Sequence, residues 1–512
     1  MVNVVKSRAL EDLGPQGLDA FDAVVIGAGL AGSVAACRAQ ELGCRCLLID
    51  KADDPSAGGN TRLSGGTIHA AGVHMKSPAD VIRRRVEEVT GGETDPDLAI
   101  AFAEHSARAL SWVVKSGVEI EPPGVGQAWR TILAPRRLFD DVHAWRDRGP
   151  QRSLQSLHRR LISLGGSILG GGTALDLLPA ADSYGVGGVM FGRNGRAYRA
   201  RASQVLLADG GFQANAKMLN SYIGPFADRI KLRASGSGTG DAIRMAEPFR
   251  AQLVKLTYFY GHLLHRSALT SDRLWPMPTL DSLLHLGILV SQSGIRTFDE
   301  GLGGIAAANT IARSDDPRGM WIVIGSDGWA AAEREGLVDP LYPTPVQDLE
   351  ARGGEIYQAA DPSELGMLAG INPERLLTTV TTFNDAIANR RLHLLSVPRT
   401  GPALALTRSP LRAIPAVPGI TFTMGGLHTD AQTRVLDLDG KPIPGLLAAG
   451  GSAGGIQGGR TGGYVGGLST ALVFGFLAGE EMFARKSGTA HKRGRARRIP
   501  LVTPPQSPVT RR

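Results

Sequence analysis

The run FDAVVIGAGLAGS, from Phe21 to Ser33, constrains the fold of this chain more than any other segment. Phe21 to Ile26 is short, apolar and β-branched, the pattern of a strand buried on both faces. Glycines follow at Gly27, Gly29 and Gly32, then an alanine-rich helical stretch from Ala31 to Leu42, closed by Gly43. CRCLLID forms the next strand and ends at Asp50. The three glycines serve different steric needs. Gly27 permits a tight turn, Gly29 lets backbone approach a pyrophosphate, and Gly32 lets helix and strand pack closely. The helix start, with Ala28, Leu30 and Ala31, presents N–H groups and a partial positive charge to phosphate. Asp50 lies 18 residues beyond Gly32, where a carboxylate binds a ribose hydroxyl pair, with Lys51 beside it. The expectation is a Rossmann-type βαβ unit that holds a dinucleotide.

A second glycine loop follows almost at once. Residues 58–66 read GGNTRLSGG, placing Gly59, Asn60, Thr61, Ser64, Gly65 and Gly66 next to the nucleotide unit. Beyond the strand-end acid, a nicotinamide dinucleotide has no obvious need for such a loop. A flavin does, because its pyrophosphate and ring edge must both be cradled, so FAD is the expected cofactor. Glycine loops recur at LLADGGF (206–212) and SGSGTGD (235–241). They thin out between 265 and 412, where Pro and Trp rise, and return at TFTMGGLHTD (421–430) and GGSAGGIQGGRTGGYVGGLS (450–469). A chain of 512 residues is too long for one compact core. The texture predicts a discontinuous α/β FAD-binding domain over 21–264 and 413–485. An α+β cap or substrate domain is inserted over 265–412. A polar lead-in covers 1–20 and a basic disordered tail 486–512.

These motifs resemble the fumarate reductase/succinate dehydrogenase flavoprotein family, whose members include ketosteroid and tricarballylate dehydrogenases. GGNT…GG, LLADGGF, SGSGTGDAIRMA, TFTMGGLHTD and IPGLLAAGGSAGG carry the likeness, over about 20–265 and 415–485. The resemblance implies flavin contacts at Asp209, Gly210, Gly240, Asp241, Gly450, Gly451, Leu468 and Ser469, with Asp209 standing where the family has Thr. It implies a ring held between flavin domain and cap, and hydride transfer between flavin N5 and a carbon beside a carbonyl or carboxylate. Some family members attach flavin through a His in the early loop; Asn60 and Thr61 stand there in this chain, so non-covalent FAD is expected.

The fumarate-reducing apparatus is largely missing. Phe422 replaces the family His before the Met-Gly-Gly motif. Glycines in GIRTFDEGLGG (294–304) replace the proton-donating Arg, and the relay positions fall near Leu280 and Leu283. Arg460 falls where the family puts a carboxylate-binding Arg. A guanidinium there would clamp a carboxylate or polarise a carbonyl. Tyr464, four residues on, is placed for proton transfer. His262, following Gly261, is expected on an exposed turn, hydrogen-bonding a carbonyl; His265 is the lesser candidate. Arg296, Asp299 and Glu300 read as a cap-hinge ion network. Leu274, Trp275, Leu283 and Leu284 fit a partly apolar substrate, and ordinary cap-core packing explains them as well. The chemistry expected is CH–CH dehydrogenation or C=C reduction of a small carbonyl or carboxylate substrate, with an unidentified electron donor or acceptor. The alternative is an electron-transfer flavoprotein subunit serving a separate redox partner.

Charge adds little. The net charge of +8 is matched by the eight Lys/Arg from Lys486 to Arg512, a Pro- and Ser-rich stretch read as a solvated tail, not a nucleic-acid site. Cys37, Cys44 and Cys46 make neither a disulfide framework nor a metal quartet. With no signal-peptide pattern, no C-x-x-C-H haem motif and no apolar run long enough for a membrane span, a cytoplasmic protein without metal is expected.

Overall fold

The computed structural model describes residues 21–122, 127–136, 147–181, 184–334 and 344–487. The expected lead-in and nearly all of the expected tail lie outside these residues.

Ala23–Ile26 and Cys46–Ile49 are buried along their whole length and pair in parallel, Ala23 opposite Cys46. Gln204–Leu207 takes the other side of the first strand, so a six-stranded sheet forms. Its order is Arg434–Leu436, Pro442–Ala448, Gln204–Leu207, Ala23–Ile26, Cys46–Ile49, Ser167–Leu169, and only the first of these is antiparallel to its neighbour. A parallel sheet with both faces covered demands apolar residues on both sides of each strand, which the sequence supplies. Ser167–Leu169 and Thr173–Pro179 are separate strands, divided by Gly170–Gly172.

Gly467–Lys486 corrects one expectation. It is the one helix among those described that is long and apolar enough to cross a membrane. Here it packs against Leu30–Glu41 across small residues: a Cβ on Gly475 would fall 2.5 Å from the Ala31 carbonyl oxygen, and one on Gly479 2.8 Å from that of Ala35. Its apolar surface is core surface.

The second sheet is built on one long strand, Leu411–Thr423. Its first half pairs with Met320–Ile324 and Tyr357–Ala359; its second half pairs with Phe259–His265, and Lys231–Leu232 lies along its other edge. This sheet therefore recruits strands from both sides of the 265–412 insertion. Leu274, Leu280, Leu283 and Leu284 are buried in its core, so the leucines read as a substrate hint are accounted for by packing. Glu300 is fully buried and paired with Arg296 at 2.7 Å, and it accepts the Leu289 N–H at 2.8 Å. None of Arg296, Asp299 and Glu300 lines the cleft described below.

Candidate flavin and substrate cleft

At the C-terminal edge of the first sheet the strand ends open into one long cleft. Gly27 has φ +96°, and a Cβ there would fall 2.4 Å from the Ala208 carbonyl oxygen. A Cβ on Gly32 would fall 1.9 Å from the Gly27 carbonyl oxygen. Neither position tolerates a side chain, which is the close strand–helix approach the spacing predicts. Asp50 accepts the Ala28 N–H at 2.7 Å and the Ala52 N–H at 2.8 Å; burial raises its carboxyl above the ordinary value. The Leu30 N–H donates to the Thr61 hydroxyl at 3.0 Å, which ties the second glycine loop to the first. Lys51 is paired with Asp241 at 2.8 Å and also donates to the Ser237 carbonyl.

The cleft is lined by Gly27, Gly29, Leu30, Ala31, Asp50, Lys51, Gly59, Asn60, Thr61, Ser64, Gly65, Gly66, Asp209, Gly210, Asp241, Gly450, Gly451, Leu468 and Tyr464. Ala28 and Gly32 shape the turn from behind. Gly240, at φ +80°, caps the short helix that begins with Asp241. Ser469 turns away, donating to the His69 carbonyl at 2.5 Å. The lining fits FAD. Gly59 and Gly65 have nothing within 4 Å of a would-be Cβ and Gly210 almost nothing, so bare backbone faces open space where a flat ring and its ribityl chain need close approach. Asn60 serves this cradle as a latch: its amide donates to the Thr421 carbonyl at 2.7 Å and its oxygen accepts the Ser235 N–H at 2.9 Å. Buried Asp209 accepts from the Ser452 hydroxyl at 3.1 Å, and burial pushes its carboxyl up to about 6.

The inner end of the cleft is aromatic. Tyr260, Tyr464, Phe422 and Trp275 line it together with Arg233. The Tyr260 and Tyr464 rings stack at 4.0 Å, and Tyr464 meets the edge of His69, which in turn meets Trp129. Burial pushes both phenols above their ordinary range, Tyr260 furthest, and His69 down to about 4. Half-buried Arg233 donates Nε–H to the Pro276 carbonyl at 3.0 Å and an Nη1–H to the Thr421 hydroxyl at 3.1 Å. A guanidinium has five N–H donors, so donors remain for an oxygen in the cleft. Arg233 and Lys51 are the only cations among the described residues that line the cleft, and Lys51 is at the nucleotide end.

Two expected catalytic residues are placed elsewhere. The Arg460 side chain is 92% exposed, 3.9 Å from Glu93, and does not line the cleft. Its loop is fixed through the backbone: the Arg460 N–H donates to Glu93, and Lys255 donates to the Gly458 carbonyl. His262 is not on an exposed turn. It lies mid-strand in Phe259–His265, one layer behind the cleft, with both ring nitrogens bonded. His265 is a satisfied core histidine, held by the Glu355 carbonyl and the Ser267 N–H. Sequence reasoning passed over Arg233 and Tyr260. Tyr260 had a signal, since residues two apart on a strand share a face; Arg233 had none beyond its place just before a glycine loop.

A parallel sheet with a glycine-walled nucleotide cleft at its C-terminal edge is the architecture of an FAD-dependent oxidoreductase. The chain belongs to the FAD binding domain family, whose model matches residues 22–465. It is 29% identical over 507 residues to a urocanate reductase of Eggerthella lenta, covering 91% of this chain and 75% of that protein. It is 26% identical over 463 residues to a probable fumarate reductase of Shewanella frigidimarina, covering 89% and 74%. Among solved structures, 3-ketosteroid Δ1-dehydrogenase of Sterolibacterium denitrificans shares the fold, with TM-score 0.68 and 19% identity over 91% of this chain and 99% of that one.

Proposed function

We propose that this FAD-dependent oxidoreductase of CH–CH and C=C bonds acts on a flat, ring-bearing substrate with one conjugated oxygen function, such as a 3-arylacrylate or a cyclic enone. The observation behind this reading is that one cation among the described residues, Arg233, lines the aromatic end of the cleft, set among Tyr260, Tyr464, Phe422 and Trp275. A dicarboxylate needs a partner for each charge, and this end of the cleft offers one. The similarity to a urocanate reductase supports a ring-bearing substrate.

The 27–32 turn, the 58–66 loop and the 450–451 turn would hold FAD, which when bound would supply hydride exchange at N5. The protein supplies the rest. Arg233 holds the substrate oxygen and stabilises the negative charge that develops there. The stacked tyrosines and Phe422 orient the ring and exclude water. The Tyr260–Tyr464 stack exchanges a proton with the substrate carbon beside the oxygen function. The Tyr464 hydroxyl accepts the Gly467 N–H at 3.2 Å; burial raises this phenol above its ordinary range, and that bond and Arg233 offset part of the rise.

The test is anaerobic flavin absorbance. Dithionite-reduced protein is mixed with trans-cinnamate or fumarate, and oxidised protein with 4-androstene-3,17-dione. Reoxidation by cinnamate or bleaching by the steroid, with fumarate inert, is expected. Reoxidation by fumarate alone would overturn the assignment. A flavin inert to the whole panel would return weight to the electron-transfer reading.

A further inference from the structure

Behind the aromatic wall is a hydrogen-bonded series that the reaction above leaves unused. Asp281 Oδ2 lies 2.5 Å from His262 Nδ1, and His262 Nε2 lies 2.8 Å from the Tyr260 hydroxyl. The other Asp281 oxygen accepts the Leu263 N–H at 2.8 Å, so the carboxylate is held on two sides. Its place is reserved by Gly304, where a Cβ would fall 2.0 Å from the Asp281 Cγ. An ionised carboxylate only accepts. His262 therefore carries its hydrogen on Nδ1, and its bare Nε2 accepts from Tyr260. The Tyr260 ring stacks on Tyr464 with centroids 4.0 Å apart, and both line the cleft. Burial raises the Tyr260 phenol well above its ordinary range, so it needs a partner that takes its own proton as it accepts one. His262 Nε2, 2.8 Å from its hydroxyl, is that partner.

We propose that Asp281, His262 and Tyr260 form a proton relay that opens on the cleft through the Tyr260 hydroxyl, an inference that rests on the reaction assigned above. In dehydrogenation the substrate carbon gives its proton to the Tyr260 oxygen as the Tyr260 proton passes to His262 Nε2. The hydride of the neighbouring carbon is what bound FAD would accept. The imidazolium that results is stabilised by Asp281 and later releases one proton to solvent. In reduction the imidazolium is the starting form, and each transfer runs backwards. His262 and Asp281 touch neither substrate nor flavin, so they are positioning and relay residues. The charged and titratable groups that face the relay are few. They are Asp281 from the Asp281–Leu286 turn, Tyr464 from the loop before the last helix, and Arg233 beside Tyr260. The paired strand presents Gly419 opposite His262 and Phe422 opposite Tyr260, and the Gly303–Ala312 helix contributes Gly304, none of them titratable.

Two measurements on the FAD-loaded full chain test this. Nitrogen NMR of 15N-histidine protein should show one histidine with a bare Nε2 and a downfield Nδ1–H; His262→Gln should remove this signal and Asp281→Asn should shift it. A protonated Nε2 in the neutral resting protein would overturn the relay. In the kinetic arm, reoxidation of reduced protein by trans-cinnamate should slow by roughly 10²–10⁴-fold in His262→Gly, the usual worth of positioned acid–base catalysis. Added imidazole should restore part of the rate, while cinnamate binding, read from flavin absorbance, stays within about threefold. His262→Gln should lose the ionisation seen in the parent pH profile. A slowed variant with the parent pH profile and no imidazole rescue would make His262 merely structural. If cinnamate fails even with the parent protein, the substrate class is wrong, and the histidine tautomer still decides the relay.

Discussion

Replacing Arg233 tests the assignment at its most exposed point. Arg233→Met keeps much of the side-chain volume and removes the one cation near the ring. Removing one partner of a buried, hydrogen-bonded charge pair costs about 3–5 kcal/mol. At about 1.4 kcal/mol per power of ten, kcat/KM for an arylacrylate should fall by between two and almost four powers of ten. A neutral enone loses only a hydrogen bond to a charged donor, about 1.5–3 kcal/mol, hence roughly 10- to 150-fold. Arg233→Lys restores charge but not the planar fork and should recover the enone better than the acid. The guanidinium also donates to the Pro276 carbonyl and the Thr421 hydroxyl, so each variant must first be shown to bind FAD and to unfold cooperatively. Stopped-flow flavin absorbance with trans-cinnamate and 4-androstene-3,17-dione gives both constants. Equal losses for acid and ketone would refute the carboxylate clamp, and an unchanged kcat/KM for both would remove Arg233 from the site.

Gly27→Ala places a Cβ 2.4 Å from the Ala208 oxygen at φ +96°; FAD affinity, read by flavin fluorescence, should fall at least ~100-fold, since strain and clash both act at the turn. Arg460→Ala should change kcat/KM by less than about threefold, because its exposed side chain makes only a long contact with Glu93. Acid precipitation should leave the flavin in the supernatant, as expected of a non-covalent cofactor. Asp209, near 6 in the fold and near ~3.9 unfolded, binds an extra native proton between those values, so it makes stability fall as pH rises through that window. Asp209→Asn should therefore gain on the parent from about pH 4 to 6, by up to about 3 kcal/mol, in urea melts of flavin-free protein. His69 and His158, both pushed down to about 4 by burial, oppose that slope in both proteins and cancel in the difference.

What the sequence made legible was the half of the site built from backbone. Gly27, Gly32, Gly59 and Gly65 are readable because each position works by lacking a side chain, and the strand–turn–helix pattern around Gly27 is local. The proposed substrate half is built from side chains that converge from Arg233, Tyr260, Phe422 and Tyr464. No local period marks such a set. The resemblance located the neighbourhood of Tyr464 and His262 but misjudged direction. Arg460 follows two glycines, and its loop turns the side chain to solvent. His262, read as a turn residue because Gly261 precedes it, is held in a strand, and that glycine is there because a Cβ would meet the Gly419 carbonyl oxygen at 2.2 Å. Leu280 and Leu283, aligned with relay positions, are core residues, while Asp281 between them carries the charge.

One residue shows why the two halves had to be found together. Thr421 is near the end of the long strand that organises the second sheet. Its carbonyl accepts from Asn60 of the flavin loop, and its hydroxyl accepts from Arg233 of the substrate wall. Its neighbour Phe422 pairs with Tyr260. The flavin cradle, the anchoring cation and the first tyrosine of the relay are thus referenced to two consecutive residues. Asn60 reaches this point from 361 residues away and Arg233 from 188. A shift of the second sheet therefore moves the substrate anchor and the flavin loop in register. Hydride transfer needs that, because its rate depends on the spacing between the held carbon and the ring.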